Sequence, residues 1–292
     1  AGEFFTLKPD TEMAGDQRTD DAGSLIFDSA VLAEECIVLG QPLVKLSLSS
    51  DAPLGNLAVR LVDVHPDGTA TRVSYGVLNL AHRRGNADPQ PLEPGRAVGI
   101  ELTLDACGYR FAPGHRIRLS LSSAYWPTIL PSPHDPTLSI DLATLAVELP
   151  LPGAHRRIEI PQPANPDPLP HYEVLAEGSS ARSVERDLQQ GVTRYRLQED
   201  TGLSRHPGNG LCSRDTRQEV WSITPGDPLS MTAEIDWTCS AEREGWRVHS
   251  HYTSSLSCTE TEWVISERLE AWHGEEKVFE RERSARIPRD HM

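Results

Sequence analysis

The sequence predicts an all-β protein of two parts: a jelly-roll, galactose-binding-like β-sandwich over residues 1–165, then a second antiparallel β-domain over 166–292. Three observations carry this. Apolar and polar residues alternate with a period of two in segment after segment, the mark of a half-buried antiparallel strand. Short turn signals separate the segments at the spacing of a sandwich. A proline-rich stretch, PLPGAHRRIEIPQPANPDPLP at 150–170, then interrupts the pattern. It favours extended chain and suits no central strand, so the boundary is placed near residue 165, with an edge strand expected at Arg157–Ile160. No amphipathic helix longer than about two turns is expected.

In the first part, Val44, Leu46 and Leu48 alternate with Lys45, Ser47 and Ser49. Ile100, Leu102 and Leu104 alternate with Glu101 and Thr103, and Ile117, Leu119 and Leu121 with Arg116, Arg118 and Ser120. The turns are Pro66-Asp67-Gly68, Glu93-Pro94-Gly95 and Ala112-Pro113-Gly114. In the second part, Val184–Leu188 and Val192–Leu197 flank Gln189-Gln190-Gly191 as a hairpin. Met231, Ala233, Ile235 and Trp237 share one face; Trp246, Val248 and Tyr252 follow, then Trp263, Ile265 and Leu269, then Val278 and Phe279. The result is a long meander with one aromatic face and one face of Glu and Arg able to pair across strands. Four of the six Trp fall between positions 237 and 272. A shared core or docked face explains them better than an aromatic sugar platform, because three of them alternate with other apolar residues.

The stretch RLVDVHPDGTATRVSYG, residues 60–76, poses a choice between a metal loop and a turn. A calcium loop of the D-x-D-x-D-G form wants oxygen at its third position and a closing Glu six residues after the Gly. Those positions hold His65 and Ser74. A turn is satisfied throughout: Pro66 presets φ, Asp67 tolerates the next corner, and Gly68 takes the left-handed residue. A hairpin is expected, with no metal.

Composition removes further classes. A net charge of −15 and a pI near 5.1 oppose binding to nucleic acid and to anionic membranes. Hydrophobic residues make up 38% and the mean hydropathy is −0.42, with no apolar run of membrane-spanning length. The opening AGEFFTLKPDTEM lacks the regions of a signal peptide, and it starts with Ala and not Met, so a piece of a longer protein is expected. The compartment is left open, with the cytoplasm favoured. Cys36, Cys107, Cys212, Cys239 and Cys258 are odd in number and widely spaced, which suits neither a disulfide framework nor a zinc site.

A search for chemistry finds no G-x-S-x-G elbow, no P-loop and no dinucleotide glycine pattern. His249 and His251 share a strand face without a third ligand, and His134 merely neighbours Asp135. Glu34-Glu35 and Asp20-Asp21 read as solvated loop charges. No catalytic residue, cofactor site or metal site is expected.

The order of motifs nevertheless forms a pattern. Val44–Asp51 precedes Arg60–Gly68; Tyr75–Arg83, Leu92–Gly95 and Tyr109–Leu119 follow, and Ser122–Pro127 closes the run. With Gly15–Arg18 and Leu25–Ser29 at its start, the run resembles the C-terminal jelly-roll domain of the cocaine esterase/X-prolyl dipeptidyl-peptidase (CocE/NonD, S15-like) hydrolases, over residues 2 to about 160. The tail ending Arg286–Asp290 resembles an extra β-domain carried by some members.

The resemblance implies a non-catalytic C-terminal region whose partner, an α/β-hydrolase domain of the same polypeptide, carries the Ser, Asp and His of the triad upstream. None of those positions has a counterpart here, so the chain alone is expected to be inactive. In relatives the jelly roll packs on the hydrolase domain and can help shape the acyl pocket; Ser123–Pro127, with Tyr125 and Trp126, is the candidate stretch for that role, with ordinary loop packing the favoured alternative. Tyr125, Trp126, Ile129 and Leu130 sit among Pro127, Pro131 and Pro133, so an exposed apolar patch is expected there, covered by the hydrolase domain or by a second copy of the chain. The competing class is a free-standing carbohydrate-binding or protein-interaction β-sandwich, which an upstream hydrolase sequence in the same reading frame would exclude.

Overall fold

The computed structural model describes residues 14–153, 159, 161–162 and 171–291. The described chain divides into two compact units, residues 1–158 with 291–292 and residues 159–290. The boundary near 165 and, but for Glu159, the strand expected at Arg157–Ile160 lie outside the described residues.

Among the described residues, unit 1 has one short α-helix, α1 (Arg18–Asp21), one 3-10 turn at Leu80–His82, and nine strands: β1 (Leu25–Asp28), β2 (Cys36–Gly40), β3 (Leu43–Ser50), β4 (Asn56–Val64), β5 (Ala70–Asn79), β6 (Val98–Thr103), β7 (Cys107–Phe111), β8 (Arg116–Ser122) and β9 (Leu138–Glu148). All pairings are antiparallel, in sheets ordered β1-β8-β4-β5, β6-β3-β9 and β2-β7. The alternation in the sequence becomes burial. Val44, Leu46 and Leu48 of β3, Ile100 and Leu102 of β6, and Leu119 and Leu121 of β8 enter one core with Leu57, Val59, Leu61 and Phe111. All three expected turns close with glycine in the left-handed region, Gly68 at φ 88°, Gly95 at φ 78° and Gly114 at φ 87°, where a side chain would be strained.

One strand departs from simple alternation. β4 is buried at every position from Leu57 to Val64. Its second face carries Ala58, Arg60, Val62 and Val64, and the segment around α1 covers part of it. Asp21 takes the Arg60 guanidinium at 3.0 Å and that of Arg118 at 2.9 Å, and accepts from Ser120 Oγ at 2.8 Å. Asp21 is therefore a buried ion-pair hub and not the solvated loop charge expected from sequence. Its neighbour Asp20 is half-buried and accepts from the Ser24 hydroxyl through its carbonyl at 2.9 Å, while Glu34 and Glu35 are exposed as expected.

Unit 2 is a nine-stranded antiparallel sheet: β10 (Glu173–Ala176), β11 (Ser179–Arg186), β12 (Thr193–Asp200), β13 (Leu203–Arg205), β14 (Cys212–Thr224), β15 (Asp227–Arg243), β16 (Trp246–Cys258), β17 (Glu262–His273) and β18 (Glu276–Pro288). β14 to β18 form the meander, each strand pairing with the next. The β11–β12 hairpin joins its other edge through β12. Tyr195, Leu197, Met231, Ala233 and Trp263 are buried on one face. The other face pairs charges across strands, Arg268 with Glu280 at 2.7 Å and Arg286 with Glu262 at 2.7 Å, and His251 hydrogen-bonds Asp236 there at 2.9 Å. Trp237 and Trp246 stay about two-fifths exposed, at 40% and 38%, so the Trp cluster is only partly a core.

Candidate functional site

Pairing of β4 with β8 decides which side chains meet at one end of unit 1. The register sets Asp63 opposite Ile117 and Val64 opposite Arg116, so the turn after β4 lies beside the turn before β8. The first turn is His65–Thr69: the His65 amide donates to the Thr69 carbonyl at 2.9 Å, and the Gly68 amide to the His65 carbonyl at 2.9 Å. Asp67 is consumed within it, accepting from the Thr69 amide at 2.9 Å and hydroxyl at 2.7 Å. The second turn closes through the His115 amide on the Ala112 carbonyl at 3.2 Å.

Between the turns lies a cluster that sequence reasoning missed. The Asp63 side chain is 2% exposed. His115 Nδ1 is 2.9 Å from Asp63 Oδ1 and 3.0 Å from Oδ2, so that nitrogen carries the hydrogen toward the carboxylate. Tyr109 of β7 donates its hydroxyl to Oδ2 at 2.8 Å. Burial, then this bond and the charge of Asp63, push the Tyr109 hydroxyl well above its ordinary pKa. His65 Nε2 lies 3.8 Å from Oδ2 and 3.1 Å from Thr71 Oγ1, and the two imidazole rings sit 4.5 Å apart at 43°. One donor atom each from Asp63, His65 and His115 falls within 4.8 Å of the other two. The hairpin read from the sequence is present. What local reading could not show is that Asp63 and His65 meet a histidine 52 positions from Asp63 in the chain.

The stretch expected to shape a pocket behaves differently. Tyr125 and Trp126 are buried, at 4% and 8% exposure, so the expected exposed patch is not formed by them. The Tyr125 hydroxyl accepts from Arg72 Nη1 at 2.5 Å, its ring sits 6.0 Å from that of Tyr75, and Arg60 lies over it at 5.7 Å. Burial, the largest influence, raises the Tyr125 hydroxyl pKa against the opposing pull of Arg72. The loop turns back on itself, the Ile129 amide bonding the Tyr125 carbonyl at 3.0 Å, so the prolines shape a buried corner. The Trp126 Nε1–H is buried without a hydrogen-bond partner among the described residues. Only Leu130, 38% exposed, keeps the character expected of that patch.

The remaining sequence candidates are accounted for locally. His249 stacks on Trp272 at 4.4 Å and His251 bonds Asp236. All five cysteines are free thiols, and only Cys212 is fully buried. Residues 5–166 match the family described as the X-Pro dipeptidyl-peptidase C-terminal non-catalytic domain.

The chain belongs to this family.

Among curated proteins, this family member is 32% identical over 103 residues to the cocaine esterase of Rhodococcus sp. (strain MB1 Bresler), covering 35% of this chain and 18% of the esterase. It is 31% identical over 126 residues to a Mycobacterium bovis protein described as a serine esterase, covering 37% of this chain and 20% of that one. The chain thus spans about a fifth of the length of these relatives. A solved structure of an α-amino acid ester hydrolase is also similar, at 22% identity and a TM-score of 0.46, covering 48% of this chain and 28% of that chain. The cluster of Asp63, His65 and His115 and the corner of Tyr125 and Trp126 all lie within the family segment.

Proposed function

We propose that this chain is the non-catalytic C-terminal region of a serine hydrolase that cleaves acyl esters or X-Pro peptides. Its partner is an α/β-hydrolase domain of the same polypeptide, and its domains are the jelly roll at 1–165 and the β-domain at 166–292. The observation that carries this reading is the family match over 5–166, set beside relatives of which it covers only about a fifth. The absence of a nucleophile elbow in the sequence agrees with it. Tyr125 and Trp126, being buried, would act on the hydrolase pocket through the loop they anchor and not by touching an acyl group. Self-association through an exposed patch at these residues loses its reason with the patch.

The test has two arms. The isolated chain should show no turnover of p-nitrophenyl esters or Ala-Pro-p-nitroanilide and no labelling by a fluorophosphonate. The product of the complete reading frame should be labelled at a serine upstream of this chain. Turnover by the isolated chain that survives repurification and is blocked by the fluorophosphonate would refute the proposal, as would a complete reading frame without a hydrolase domain.

A further inference from the structure

The two buried carboxylates of unit 1 are compensated in different ways. Asp21 holds two guanidinium groups, Arg60 at 3.0 Å and Arg118 at 2.9 Å. Asp63 is equally buried, yet its described ion-pair partners are histidines alone, His115 at 2.9 Å and His65 at 3.8 Å, with the neutral Tyr109 hydroxyl beside them. Hydrogen bonds from neutral groups offset only part of the cost of burying a carboxylate, so a positive charge is wanted at this point. Two imidazoles and one carboxylate are the donor set of a borderline divalent ion. We propose that Asp63, His65 and His115 bind a divalent transition-metal ion, Zn²⁺ in the first place, that ties the β4–β5 turn to the β7–β8 turn.

The geometry is close to what such an ion needs. Ligand atoms around a tetrahedral zinc at about 2.0–2.2 Å stand roughly 3.3–3.6 Å apart. The contacts of 2.9 Å to Asp63 Oδ1 and 3.8 Å to Oδ2 bracket that separation, and all three donor atoms lie within 4.8 Å of one another, so the imidazoles must rotate toward each other to close the site. The ion takes the place of the hydrogen on His115 Nδ1, which passes through solvent to Nε2, so the ligand stays a neutral imidazole. Tyr109 donates to Oδ2 of the carboxylate at 2.8 Å, a supporting bond of the kind metal-ligating groups carry. The His65 side chain is 35% exposed, which gives the ion a path inward and leaves a position for water. The turns already abut: a Cβ on Gly114 would lie 3.8 Å from Pro66. The ion therefore acts as a clip between preformed turns. The calcium loop excluded on sequence grounds is a different site, using backbone and carboxylate oxygen from within one turn.

The test is zinc binding by the chelator-treated chain, read by competition with a chromophoric zinc chelator, and Co²⁺ substitution read by its visible absorption. One equivalent should bind, with the spectrum of a tetrahedral nitrogen–oxygen site. His65→Ala and His115→Ala should each weaken binding by more than about a hundredfold, and Tyr109→Phe by about tenfold. His65 lies on a partly exposed turn, so its variant tests the site even if His115→Ala fails to fold. The double variant His249→Ala/His251→Ala should bind as the parent does. Failure of the chain to hold zinc against the chelator would overturn the proposal. So would an affinity unchanged in His65→Ala, or one lost in the His249/His251 variant.

Discussion

Substitution of Asp21 by Ala tests whether unit 1 depends on the clasp that α1 lays across β4. Arg60 would keep two neutral acceptors, Gln17 Oε1 and Ser24 Oγ, each at 2.9 Å, but would lose its only described carboxylate. Its side chain is 2% exposed, so water cannot replace the lost partner without opening the sheet. Removing one member of a buried ion pair costs about 3–5 kcal/mol. The lower end applies, because Arg118 retains Asp28 through bonds of 2.6 and 2.8 Å. Asp28→Ala is the control. Its side chain is 31% exposed, and a pair of that exposure is worth about 0.2–1 kcal/mol. The chain holds two units, so one melting midpoint mixes them. Hydrogen–deuterium exchange of peptides covering β4 and β8 reads unit 1 by itself. A loss of about 3 kcal/mol corresponds to exchange faster by roughly a hundredfold or more, at about 1.4 kcal/mol per tenfold. Exchange in Asp21→Ala within about threefold of the parent, or Asp28→Ala as damaging as Asp21→Ala, would refute the clasp; threefold is under about 0.7 kcal/mol.

Further outcomes follow from single positions. Gly202 sits at φ 72°, and a Cβ there would lie 2.3 Å from the Ala176 carbonyl oxygen; Gly202→Ala should therefore cost unit 2 at least about 2 kcal/mol in urea unfolding. Gly68 at φ 88° has open space around it, so Gly68→Val should cost only the backbone strain of about 1–2 kcal/mol. The hydrogen bond from Arg118 holds the Asp28 carboxyl below its ordinary pKa. A depressed folded-state pKa stabilises at pH above the unfolded value of about 3.9 and ceases to do so as pH falls through the folded value, so unit 1 should weaken below about pH 4. Asp28→Asn should flatten that decline in the hydrogen–deuterium exchange protection of β4 and β8 peptides, corrected for intrinsic exchange rates, from neutral to acid pH. Calcium should leave the melting temperature unchanged, since Asp67 is bound to Thr69; a rise reversed by EDTA and lost in Asp67→Ala would show a calcium loop after all.

The division between what sequence revealed and what it hid follows from how far each burial reaches along the chain. β3 and β6 were legible because one face of each is wet, so the buried set is printed in alternate letters. β4 was half legible. Its Leu57, Val59 and Leu61 alternate correctly, but Arg60 and Asp63 look like wet positions and are dry, because Arg60 is covered from α1 and Asp63 from the β7–β8 turn. Tyr125 and Trp126 were misplaced for the same reason. Prolines do keep their loop from pairing as a strand, but Arg72 and Tyr75 of β5 receive the tyrosine ring without any strand being needed. The metal-ligand cluster is the extreme case. Neither VDVHPDG nor FAPGH contains a site by itself, and each satisfies the grammar of a turn. They become one site only through the register of β4 against β8, which brings Val64 opposite Arg116 and so seats both turns at the same end of the sheet. A pair of histidines, each beside a proline–glycine turn and each next to a strand of one sheet, is the signal that could have found it. That signal requires strand pairing to be known before ligands are counted, and strand pairing is the long-range information that period-two reading does not contain.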